Sequence, residues 1–207
     1  MASAPRVHVP ARVYLRPAGA TGGKPVRISQ LNYYGDFVLY PIVIAGFAWL
    51  GLVRGTELSR PGWLLAVLCG ATGWTLLEYG LHRIVFHKLG PVVAMHALHH
   101  AVPRALIGAP TWLTAGVFLV TLYAPLALFA PRGLASGITA GVVAGYLVYV
   151  TLHHVVHRPQ SRFVRRILAD TKRRHMLHHY AGSVGNFGVT TSAWDRVFRT
   201  RLRSSRR

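Results

Sequence analysis

The sequence predicts an all-α integral membrane protein, with four transmembrane helices carrying a histidine-rich helical cap on one side. Three observations predict it. Hydrophobic residues make up 52% of the 207 residues, against only five acidic ones. Four apolar stretches each approach the roughly 20 residues needed to cross about 30 Å of hydrocarbon as a helix. Histidines cluster at or just beyond the ends of the second and fourth stretches. A soluble core built from four such helices would leave little amphipathic surface to cover them in so short a chain.

In chain order, residues 1–35 are basic and rich in Pro, Gly and Ala, with no sustained hydrophobic period, and are expected to form a flexible or surface-lying arm. Pro5, Pro10 and Pro17 interrupt this segment and no apolar core follows its first basic residues, so a secretory signal is not expected. Residues 36–200 are expected to form the membrane domain, with spans near 37–53, 63–81, 110–130 and 134–152, and residues 201–207 a basic tail. Gly and Ala recur in the spans, as where helices pack closely in lipid. Cys69 lies inside the second span, where a packing role is expected, and a lone cysteine excludes a disulfide framework.

Orientation follows from the basic residues, which give the chain a net charge of +19. They concentrate in the N-terminal arm, in the loop between spans two and three (Arg83, Lys88, Arg104) and after span four. The other two loops carry only Arg54, Arg60 and Arg132. The positive-inside rule therefore puts both termini and the middle loop in the cytosol. Arg162, Arg165, Arg166, Lys172, Arg173 and Arg174, lying next to membrane spans, read as contacts to anionic headgroups rather than as a nucleic-acid site.

The histidines carry the chemistry. His82 and His87, then His96, His99 and His100, then His153 and His157, then His175, His178 and His179 form four spaced clusters, and HxxHH occurs twice. Only His8 and His154 stand outside. On a helix, His96, His99 and His100 share one face and can direct three imidazoles to one place. His82 and His87 are separated by about 140° on an ideal helix and need a helix end or kink to converge. His153 and His157 share a face, with His154 about 100° away. Burying so many imidazoles together would cost several kcal/mol unless something bound their lone pairs, and a metal does so at neutral pH.

Asp36, Glu57, Glu78, Asp170 and Asp195 include no Glu-x-x-His pair, which excludes the carboxylate-bridged bundle type of di-iron centre. Ten imidazoles exceed the needs of one tetrahedral zinc. Two metals with about five nitrogens each fit the count, while iron, zinc, copper and nickel all accept neutral imidazole. The cytosolic ends of spans two and four bring every cluster to one membrane surface, where a substrate that is itself a lipid has reason to be met. Two ferrous ions activating O2 would attack an unactivated C–H bond, whereas zinc would favour hydrolysis.

EYGLHRIVFH, HALHH, HHVVH, HMLHH and the closing GNFGVTTSAWDRVFRT together resemble the membrane fatty acid hydroxylase and sterol desaturase superfamily, most of all its fatty acid 2-hydroxylase branch, over residues 63–200. Asn186, Gly188, Trp194, Asp195 and Phe198 carry the closing match. The resemblance implies that His82, His87, His96, His99, His100, His153, His157, His175, His178 and His179 are metal ligands and that His154 is not. It implies two iron ions, with zinc as a substitute, and O2 as co-substrate. Electrons would come from a cytochrome b5-like or ferredoxin-like donor. No His-Pro-Gly-Gly segment of a fused cytochrome precedes the first span, so a separate donor is expected. Two positions depart from the pattern. Val150 stands where such relatives often carry Asp after the Tyr, which weakens the expected support of a ligand, and Arg199 stands where Gly is common.

Glu78, one turn before His82, could orient that ring or form a simple ion pair. Asp195 could bond a ligand imidazole or pair with a neighbouring arginine. Trp194 reads as an anchor rather than a substrate contact. The expected activity is O2-dependent hydroxylation of a fatty acyl chain. The alternatives are a sterol or carotenoid hydroxylase or desaturase, and a non-enzymatic membrane zinc-binding protein.

Overall fold

The computed structural model describes residues 29–202, apart from 56 and 183; His8 and most of the arm and tail lie outside that range. All regular structure among the described residues is helical. Four helices are long and apolar enough to cross a membrane: α1 (Gln30–Arg54), α2 (Arg60–Phe86), α4 (Thr111–Phe129) and α5 (Arg132–Val156). Between the second and third lies α3 (Gly90–Ala101), and after the fourth come α6 (Arg162–Ile167), α7 (Ala169–Tyr180) and α8 (Ala193–Val197). The first helix starts at Gln30, inside the stretch expected to be arm. Its cap is Ser29, whose Oγ accepts from the Asn32 amide at 3.2 Å. At α2 the cap is Ser59, accepting from Gly62 N at 3.2 Å, with Pro61 in the first turn, where its missing N–H costs nothing.

α5 is the spine. It is the most buried of the four spans, and its Gly133, Gly137, Gly141 and Gly145 recur every fourth residue to make a smooth stripe. A Cβ on Gly141 would fall onto the backbone carbonyl of Val67, one on Gly145 would lie 2.6 Å from Trp74 Cβ, and one on Gly70 would strike the carbonyl of Ile138. α2 and α5 thus touch backbone to backbone, the arrangement small residues permit in lipid. Cys69, expected to pack inside, is instead exposed on the outer face of α2.

Polar ties lock the other spans to this pair. Buried Asp36 of α1 accepts from Tyr146 Oη of α5 at 2.6 Å and from Thr111 Oγ1 of α4 at 2.7 Å. Tyr40 Oη donates to Thr114 Oγ1 at 2.6 Å, and that hydroxyl donates in turn to the Thr111 carbonyl at 3.0 Å. Side-chain bonds between membrane helices contribute typically about 0.6 kcal/mol each, so these three set position more than they set total stability.

The ends of α2 and α5 run past the predicted spans by about a turn, and that extra length carries histidines. The last six residues of α2, Leu81–Phe86, wind as a π-helical turn. In such an i→i+5 turn, residues five apart come round to the same side, which supplies the convergence that His82 and His87 require.

Candidate metal centre

All ten clustered histidines gather at one end of the bundle, in two groups of five. His82, His87, His96, His100 and His178 form the first, and His99, His153, His157, His175 and His179 the second; in each group one ring nitrogen from every residue lies within 4.8 Å of the others. His82 and His87 stack at a ring separation of 5.3 Å. The three histidines of each HxxHH do not meet at one place, as their shared face suggested. His96 and His100 go to the first group and His99 to the second, while His175 and His179 go to the second and His178 to the first. The two motifs cross over, and the groups sit side by side, with His100 and His179 stacked at 4.1 Å.

The nitrogen spacing bears on what such groups can hold. His96 Nε2 lies 3.2 Å from His82 Nε2, 3.1 Å from His87 Nε2 and 3.0 Å from His100 Nε2. In the second group His175 Nε2 lies 2.8 Å from His157 Nε2 and 3.1 Å from His179 Nε2. For metal–nitrogen bonds near 2.1 Å, neighbouring ligands at right angles sit about 3.0 Å apart and tetrahedral ones about 3.4 Å. The observed edges fall in the range spanned by nitrogens that share one ion.

Tautomers point the same way. His82 Nδ1 donates to the Phe187 carbonyl at 2.6 Å, and His178 Nδ1 to the Gly185 carbonyl at 2.9 Å. A carbonyl only accepts, so the proton is on Nδ1 and each Nε2 presents a bare lone pair. Buried His99 Nε2 has no hydrogen-bond partner. Converging lone pairs repel each other unless a cation lies between them. Burial, helped by neighbouring imidazoles, lowers the pKa to about 3 at His99 and His178 and to about 4 at His100 and His157. At neutral pH these rings are therefore uncharged, the form a metal binds. The donor set fits a pair of ions.

The loop 185–190 holds the rings. Asp195 Oδ1 accepts from Phe187 N at 2.9 Å and from Thr200 Oγ1 at 2.7 Å, and Oδ2 from Gly188 N at 2.9 Å. Glu78 Oε1 accepts from Val189 N at 2.6 Å and Thr190 N at 3.0 Å. Neither acid bonds a histidine. Both act at one remove, fixing the backbone whose carbonyls orient His82 and His178. Arg174 donates to the Gly188 carbonyl at 3.0 Å. Asn186 (φ 57°) holds the loop against Leu202 through its Oδ1 at 2.9 Å. Arg199 also has φ 57°, a left-handed conformation that explains why Gly suits the position. Trp194 donates to Thr75 Oγ1 at 2.9 Å, anchoring the segment to α2. His154 lies outside both groups, with Nδ1 3.1 Å from Tyr33 Oη. The carbonyl contacts of Gly185 and Phe187 escaped the sequence reading, although the GNFG pattern marked their place.

Asp195→Asn puts an amide N–H₂ against a backbone N–H and breaks that hold. Removing such outer support costs typically 10- to 100-fold in metal affinity, and a competition titration of purified protein should show a loss in that range. Glu57→Gln, in the loop joining α1 and α2, should show none.

A cavity of about 320 Å³ starts at His96, His99 and His153 and runs between α1, α2, α4 and α5, with mainly apolar walls. Val150, where an acid was expected, lines it. Tyr149 stacks on His153 at 5.6 Å with ring planes 10° apart.

Four membrane helices, paired pentahistidine groups at their ends and an apolar cavity opening on both groups define a membrane protein of the histidine-cluster type, whose two groups could each hold a metal ion. The family model described as fatty acid hydroxylase matches residues 67–200, and the chain belongs to that family. It is 33% identical to the dihydroceramide fatty acyl 2-hydroxylase FAH2 of Arabidopsis thaliana over 161 residues, 73% of this chain and 66% of the relative. It is 32% identical to the ceramide very long chain fatty acid hydroxylase SCS7 of Saccharomyces cerevisiae, over 75% of this chain and 44% of the relative. The solved structure of full-length Scs7p, in which only the hydroxylase domain is visible, superposes with a TM-score of 0.65 at 27% identity, covering 82% of this chain and 66% of that one. The chain spans from 37% to 66% of the length of the curated relatives it matches.

Proposed function

We propose that this chain is an O2-dependent membrane lipid hydroxylase that inserts a hydroxyl group into a fatty acyl chain. The observation that carries the reading is the apolar cavity, which begins at histidines of both groups and continues between the membrane spans. His82, His87, His96, His100 and His178 would hold one iron ion and His99, His153, His157, His175 and His179 the other, with zinc able to occupy the same nitrogens. Bound iron would supply O2 activation for C–H cleavage; the overall change is RH + O2 + 2 electrons + 2 protons → ROH + H2O. The electrons would come from a separate cytochrome b5-like or ferredoxin-like donor.

The residues of this chain do the rest. Phe86, Val92 and Met95 give the histidine end of the cavity an apolar lining, and water displaced from it by a bound chain would strengthen electrostatic interactions there. Tyr149 holds the ring plane of His153. Loop 185–190 keeps the Nε2 atoms of His82 and His178 facing inward. The distribution of basic residues supports both termini and the histidine end lying in the cytosol, where such a donor would dock. Within this reading residues 36–200 form the functional unit, flanked by a basic arm and tail.

Lipid mass spectrometry on aerated cells expressing the chain, beside cells expressing His178→Ala, tests this. Acyl species heavier by one oxygen, absent from the variant, are expected. Sterol or carotenoid products would reassign the substrate, and species lighter by two hydrogens would make the chain a desaturase. Unchanged lipids despite metal loading and a competent reductase would favour a metal-binding protein without oxygenase activity.

A further inference from the structure

We infer that Trp74, Phe118 and Tyr146 form a floor that limits the length of acyl chain the cavity accepts, an inference that rests on the hydroxylase reading above. The residues lining the cavity stop at one depth on three helices. The deepest lining residue of α2 is Trp74, that of α4 is Phe118 and that of α5 is Tyr146. Their rings close a triangle, Trp74 to Tyr146 at 5.3 Å, Phe118 to Tyr146 at 5.2 Å and Trp74 to Phe118 at 6.1 Å. Tyr40 backs it, 5.0 Å from Tyr146 and 6.0 Å from Phe118. The floor is pinned, since Tyr146 Oη donates to Asp36 at 2.6 Å, Tyr40 Oη bonds Thr114 at 2.6 Å, and Trp74 lies against the bare Cα of Gly145.

Depth follows from helical rise. His82 is eight residues from Trp74 and His153 seven from Tyr146, so the floor lies about 10–12 Å below the histidines. One leaflet of hydrocarbon is about 15 Å thick, half of the bilayer core. A chain with its head end at the histidines therefore meets the rings before it is a leaflet long. Each methylene beyond that must displace aromatic rings, and a misfit of one methylene in an apolar pocket changes selectivity by roughly 10-fold or more. The polar side chains beside the path, Asp36 and Thr114, already bond each other's helices.

Purified protein, metal-free and iron-loaded, is equilibrated with N-acyl amides of graded chain length, and bound lipid is read by mass spectrometry; the iron-loaded protein is also assayed for hydroxylated product with a chemical reductant. Wild type should show a length cut-off in both bound lipid and product. Phe118→Ala, on the most lipid-exposed span, and Trp74→Ala should each move the cut-off to longer chains, raising the first excluded length by roughly 10-fold, while Val150→Phe should move it to shorter ones. The Phe118→Ala and Val150→Phe arms keep the test valid if Trp74→Ala fails to fold. No cut-off, or a cut-off that none of the variants moves, overturns the floor. A length-dependent binding profile without product in any sample would count against the hydroxylase reading and leave the floor standing.

Discussion

His96→Ala and His99→Ala, three positions apart on one helix face, are expected to empty different sites. Wild-type protein loaded anaerobically should carry two metal ions per chain. His96 Nε2 is the hub of the first group, within 3.2 Å of three other ligand nitrogens, so its loss opens three edges of that polyhedron at once. His99 brings a buried nitrogen with no other partner to the second group. Each variant should retain about one ion and lose hydroxylation entirely, because both groups open on the same cavity. Metal analysis reads the stoichiometry, and the double variant should bind none. The discriminating pair is His100→Ala with His179→Ala. These stacked rings belong to different groups, so each alone should weaken one ion and spare the other. If His96→Ala and His99→Ala instead removed both ions together, a single shared site would replace the two-site arrangement.

That crossover shows where sequence stopped being legible. Residues at i+3 and i+4 both lie near the face of residue i, which is why HxxHH announces ligands. At finer angle, i+3 falls about 60° to one side and i+4 about 40° to the other. His99 and His100 thus diverge by about 100°, enough to serve neighbouring sites. Hydropathy and spacing are local, so the four spans and the four histidine clusters could be read directly, whereas setting His154 apart came from the family resemblance. The convergence of His82 with His87 could be demanded but not built, because it depends on a π-helical turn that nothing in LHRIVF announces. Glu78 and Asp195 were recognisable as polar groups near ligands, yet both bind amides of loop 185–190. Their partners are backbone, and backbone leaves no letter in the sequence. The preference for Gly at the position of Arg199 was visible as a departure, and its cause, a left-handed φ, only in the fold.

Gly141→Leu should be among the most damaging changes outside the histidines. Its Cβ would land on the Val67 carbonyl and 2.8 Å from Ala71 N, and backbone cannot step aside as a flexible side-chain end can. Overpacking in an adaptable core costs typically 1–3 kcal/mol, and here the only relief is to separate α2 from α5. Those two helices carry His82 and His153, with His87 and His157 capping their ends. Metal bonds tolerate errors of about 0.2 Å, so even a separation that lipid could fill would spoil both groups. The expected result is protein that either fails to accumulate as a single species in detergent or accumulates with well under one metal ion per chain. Gly73→Leu is the control, on α2 itself, where an added Cβ meets nothing within 4 Å; it should match wild type in melting temperature and metal content. Equal behaviour of the two variants would mean that the glycine stripe of α5 does not set the spacing of the histidine groups.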